Sequence, residues 1–195
     1  MNIMDLLNGA GGDKLISSVS SQLNIDKKTA NNAVLTALPL ILAGMKKNAE
    51  SSKGAESLNN ALETKHDGSI LDNLVNLNSN TQELEKDGNG ILGHIFGEKL
   101  NVINKEVSTK TGLDSANTKK LMAILAPIAM GMLGKQKRKS NTGAGGIEDL
   151  LGGLLTGVSA PKGKAKKGGL GGMLSSFIDK DHDGNILDDL ADMLK

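Results

Sequence analysis

The sequence predicts an all-α fold built from two divergent copies of a small, helix-turn-helix-like module joined through a Gly/Lys-rich linker. Three observations carry that prediction. Apolar residues recur at helical spacing in each candidate element. The stretch Ser18–Met45 returns without a gap as Glu106–Leu133. The chain of 195 residues also holds two phenylalanines, no tyrosine and no tryptophan, so its core must be Leu, Ile, Val, Met and Ala. Side chains of that size suit helix–helix packing better than a β-sandwich.

The first helix is expected from Asp13, where Leu15, Ile16, Val19 and Leu23 share a face opposite serines. Asp26 is a good N-cap for the next, in which Ala30, Ala33, Val34, Ala37 and Leu38 form an apolar stripe. Pro39 is expected to end or kink that helix, because it removes one backbone hydrogen bond and crowds the preceding turn. In the second copy Asp114 and Pro127 stand where Asp26 and Pro39 stand in the first. Leu121, Met122, Leu125 and Ile128, with their counterparts Ala33, Val34, Ala37 and Leu40, are the expected core.

A second element also recurs. His66-Asp-Gly-Ser-Ile-Leu-Asp-Asn-Leu74 returns as His182-Asp-Gly-Asn-Ile-Leu-Asp-Asp-Leu190 and reads as an Asp-Gly turn opening a short apolar helix. Asp87–Leu100 reads as a further Asp-Gly turn before a short helix. Residues 134–172 hold 12 of the 25 glycines and read as linker, with a short helix at IEDLLGGLLTGV. These signals divide the chain into a first module at 1–80, a second at 81–134, the linker at 135–172, and an acidic tail at 173–195.

Charge is near balance at +1 but locally uneven: residues 134–169 carry eight basic and two acidic side chains, and 170–195 two basic and six acidic. The basic arm and the acidic tail could pair with each other or with separate partners. The absence of cysteine excludes disulfides, thiolate metal sites and cysteine nucleophiles. The N-terminus lacks a basic region followed by an apolar one, and the longest apolar stretch, Ala37–Met45, is far shorter than the ~20 residues of a spanning helix. A cytoplasmic location is the expectation.

Three stretches, Gly90–Lys99 (GILGHIFGEK), Leu121–Gly134 (LMAILAPIAMGMLG) and Asp179–Leu194 (DKDHDGNILDDLADML), resemble the bacterial DUF937 family, which includes YidB-like proteins. The resemblance implies a helical, homeodomain-like fold and supplies no catalytic residues to carry over.

One loop could hold a metal. Asp179, Asp181, Asp183 and Asn185 stand near Gly184 in a DxDxDG pattern that matches the opening of a calcium loop. Ile186 fits the apolar position, but Leu190 stands where a bidentate glutamate belongs, so Asp188 or Asp189 would have to serve. The competing reading is an Asp-Gly turn whose carboxylates cap the following helix. At the first copy the equivalents are Glu63, Lys65 and Asp67, and a lysine among the ligands argues against calcium there. His66 and His182 read as turn residues and His94 as partly buried, with no nucleophile and base to make an enzyme. No other cofactor is indicated.

For partners, the sequence favours self-association or a protein partner, because small aromatic-poor modules gain by burying surface against another chain. Nucleic acid ranks lower. Lys27, Lys28, Lys119 and Lys120 lie at the helix starts, and Lys135, Lys137, Arg138, Lys139, Lys162, Lys164, Lys166 and Lys167 in the linker would contact phosphate without sequence preference. A membrane surface is disfavoured by the lack of tryptophan, Phe177 being the only aromatic in the short apolar pieces GIEDLLGGLLTGV and GGLGGMLSSFI.

Overall fold

Two helices that are apolar on every side organise the chain. A computed structural model describes residues 3–74 and 81–155. Among them the secondary structure is helical: α1 (Ile3–Leu7), α2 (Ala10–Leu23), α3 (Lys27–Ala49), α4 (Ser52–Thr64), α5 (Thr81–Phe96), α6 (Leu100–Thr111), α7 (Ser115–Ser140) and α8 (Ile147–Leu155), with three short 3₁₀ turns. In α3 every residue from Ala37 to Met45 is buried, and in α7 every residue from Leu121 to Gly134. A helix without a polar face must be surrounded. Accordingly α3 and α7 pack on each other, with α2, α5, α6 and α8 around them in one continuous core. The eight expected core residues, from Ala33 and Val34 to Leu125 and Ile128, are all buried.

The two helix pairs α2–α3 and α6–α7 are built with the same local devices. Asp26 accepts hydrogen bonds from the Lys28 and Thr29 amides at 2.9 and 3.0 Å, and Asp114 accepts one from the Asn117 amide at 2.8 Å. Each carboxylate thus satisfies donors that the first helical turn leaves open. The Ser20 hydroxyl donates to the Ile25 carbonyl at 2.6 Å, and Ser108 donates to Leu113 at the same distance. Asn24 and Gly112, at equivalent places, both turn the chain in the left-handed region, with φ of 52° and 72°.

Three sequence expectations need correction. Neither proline ends its helix: α3 continues through Pro39 to Ala49 and α7 through Pro127 to Ser140. Burial on all sides stabilises these helices enough to tolerate one lost backbone bond each. Pro127 has no amide to donate to the Ala123 carbonyl, and Gly88 of α5 lies directly against that carbonyl. This explains the second correction, since Asp87-Gly88 is no turn but the middle of α5. A methyl group on Gly88 would overlap the Ala123 carbonyl oxygen, so glycine is there for close helix approach.

The third correction concerns the linker at 135–172. Its first residues are the last turn of α7, and Ile147, Leu151, Leu154 and Leu155 of α8 are buried in the core. Lys46 of α3 and Glu148 of α8 pair across that contact at 3.1 Å. The remainder of the expected linker and the acidic tail lie outside the described residues.

Candidate functional site

A concave surface lies between α4 and α5 among the described residues and grows from the geometry of the Asp-Gly turn. After α4 ends at Thr64, the chain crosses the C-terminal half of α7. Gly68 takes φ of 100°, a conformation open to glycine, and approaches the Lys135 backbone so closely that a Cβ could not fit. Two small residues of α7 receive the turn: Ile70 lies on Gly131, and the His66 carbonyl on Gly134. Three ion pairs fasten it, Lys137–Glu63 at 2.8 Å, Arg138–Asp67 at 3.0 Å and Lys135–Asp72 at 2.9 Å.

These contacts leave two adjoining clefts of about 890 and 410 Å³ that share Ala61, Ile91 and His94. Six half-buried apolar residues line them, Leu58, Ala61, Ile70, Leu84, Ile91 and Ile95, over the buried Met45, Pro127 and Met130. Those six belong to the eleven partly buried apolar residues that pack against the core; the other five, Ile16, Ile25, Leu71, Leu100 and Leu150, line neither cleft. Charged groups stand at the margin: Lys65, Glu83, Lys86 and Asp87. At the far end Asn48 donates from its amide to the Ile95 carbonyl at 2.9 Å, satisfying the open C-terminus of α5.

His66 is the buried titratable group of the cleft, 8% exposed, while His94 is exposed. The sequence expectation of a turn histidine and a partly buried His94 is therefore reversed. The reason is the approach of the turn to Gly134, which carries His66 inside, while His94 stands exposed on the edge that both clefts share. Burial pushes the His66 imidazole below its ordinary pKa; Asp87, with its carboxylate 3.6 Å from Nε2, opposes that shift and Lys65 adds to it. Asp67 is held below the usual carboxylate range by the Ser69 backbone and side chain, and Glu63 by its hydrogen bonds to Lys137 and Asn59.

The carboxylates of the first Asp-Gly segment are therefore committed to capping and to Lys and Arg partners. Among the described residues no group of three or more His, Cys, Asp and Glu side chains is placed to hold a metal ion. The candidate calcium ligands Asp179, Asp181, Asp183, Asn185, Asp188 and Asp189 lie outside the described residues, as does His182. Of the basic residues assigned to nucleic acid, Lys135, Lys137 and Arg138 carry the ion pairs above, and Lys120 pairs with Glu85 at 3.6 Å. Sequence reasoning missed the cleft because its lining is shared by two helices and a turn far apart in the chain. The available signal was the matched Asp-Gly segment itself.

Fold and site together define an all-α protein with an apolar cleft. No helix among the described residues is long and apolar enough to cross a membrane. The sequence model of the DUF937 family, described as bacterial protein of unknown function, matches residues 5–136 and 140–195. The chain belongs to that family. No curated protein and no solved structure matches it.

Proposed function

We propose that this chain is a non-enzymatic binding and assembly protein whose cleft between α4 and α5 takes a protein surface, foremost a second copy of the chain. The concentration of half-buried apolar side chains in that one cleft carries the reading. Apolar surface gathered in one place and rimmed with charge is the kind that another protein covers. The matched caps and Ser hydrogen bonds of α2–α3 and α6–α7 support descent of both pairs from one module. Nucleic-acid binding is the weaker alternative, because the basic end of α7 is already engaged with Glu63, Asp67 and Asp72.

Light scattering on the full chain, with and without nuclease treatment, separates these readings. Assembly predicts a mass above the 20.3 kDa monomer that nuclease leaves unchanged. A larger species that collapses with nuclease would favour nucleic acid. A monomer at every concentration would remove self-association.

A further inference from the structure

The way residues 66–74 dock on α7 identifies which of their side chains the contact uses. The His66 carbonyl lies on Gly134, Gly68 against the Lys135 backbone, and Ile70 and Leu71 by Gly131. Asp67 pairs with Arg138 and Asp72 with Lys135, while Leu74 is buried beside Gly11 of α2. The C-terminal segment 182–190 carries the same residue at all seven positions: His182, Asp183, Gly184, Ile186, Leu187, Asp188 and Leu190. The two positions that differ are Ser69, replaced by Asn185, and Asn73, replaced by Asp189. The hydrogen bonds of that pair run within the segment: Ser69 binds Asp67 and Asn73 reaches the Ser69 carbonyl. The residues that meet α7 are thus all kept, as is Leu74, which packs on α2.

We infer that the C-terminal segment His182–Leu190 is a second ligand for the α7 face from Gly131 to Arg138, exchanging there with residues 66–74. Three further observations favour that face and that occupant. First, the matching face of α3 is unsuited: in the register that pairs Pro39 with Pro127, Lys46 and Glu50 replace Gly134 and Arg138. Lys46 is also engaged with Glu148 of α8, which packs on α3. Second, charge is complementary: Lys135, Lys137, Arg138 and Lys139 end α7, and residues 170–195 carry six acidic against two basic side chains. Third, the chain can reach. Residues 156–181 separate the segment from α8, and an extended chain covers roughly 3.3–3.6 Å per residue. The inference stands apart from the assembly reading, since exchange within one chain leaves the mass at the monomer.

The natural chain has no cysteine, so paired cysteines report proximity without background. The full chain carrying Lys135→Cys and Asp188→Cys is treated with a short bismaleimide, beside a control pair of Thr109→Cys and Asp188→Cys. The 135–188 pair should cross-link several-fold above the control, within one chain. Adding Ile186→Asp should return it to the control level. Weakening the resident segment with Ile70→Ala should raise it several-fold. Should that variant lose helicity by circular dichroism, the milder Asp67→Asn, which removes the charge facing Arg138, should raise it in the same direction. Cross-linking at the control level, or insensitive to Ile186→Asp, would overturn the inference.

Discussion

Asp114 shows how much a single side chain contributes at a helix start. Its carboxylate meets the Asn117 amide at 2.8 Å and the Asn117 side chain at 2.9 Å. Asp114→Ala should lower the unfolding free energy by about 1 kcal/mol in a urea titration, with Asp114→Asn keeping most of it. Asp26→Ala should move the urea midpoint in the same direction, since Asp26 caps α3 in the same way. His66 acts through pH. Its folded pKa lies below the ordinary 6.5, so below that pH the unfolded chain binds more protons than the folded one. Stability contributed by neutral His66 is present above about pH 6.5 and lost as pH falls through the depressed folded value. Urea midpoints measured downward from neutral pH should fall for the natural chain and fall less steeply for His66→Gln. Parallel slopes would contradict the burial of this imidazole.

The elements show where local sequence signals suffice and where packing overrides them. The N-caps at Asp26 and Asp114 and the apolar stripes after them were legible, because cap and stripe are short-range features of one helix. The all-α class followed from the same stripes. Of the two outcomes expected at the prolines, an end or a kink, the end is excluded, because burial around α3 and α7 is a property of their neighbours, not of the local chain. Asp87-Gly88 misled as a turn because Gly88 answers to the Ala123 carbonyl across a helix crossing. The short helix α8 was legible, but the glycines on either side of it hid its place in the core, where Ile147, Leu151, Leu154 and Leu155 fall on one buried face. The cleft was illegible for a related reason: Ala61, Ile91 and His94 meet only when α4 and α5 fold onto α7. The close approaches are testable. Gly134→Ala would press a methyl group into the His66 carbonyl and should cost roughly 1–3 kcal/mol in denaturant stability, as overpacking does. Gly90→Ala on the same helix as Gly88 meets open space and should not destabilise, since alanine is the better helix former.

Across the whole molecule, an apolar core surrounds α3 and α7, and six half-buried apolar side chains gather in the two adjoining clefts beside α5. Three ion pairs close one wall of that cleft by tying residues 63–72 to the end of α7. Their charged groups are partly exposed, so salt should weaken them, as it does surface pairs generally. The assembly reading places the second copy over Leu58, Ile91 and Ile95, where a charge would be trapped without a partner. Val102, 53% exposed on α6 and outside both clefts, supplies the matched control. Sedimentation equilibrium on the full chain, on Ile91→Lys and on Val102→Lys tests the central claim most directly. The natural chain and Val102→Lys should exceed 20.3 kDa with a mass rising with concentration, and Ile91→Lys should return to the monomer. A natural chain that stays at 20.3 kDa throughout, or an Ile91→Lys variant that associates as well as the natural chain, would contradict it.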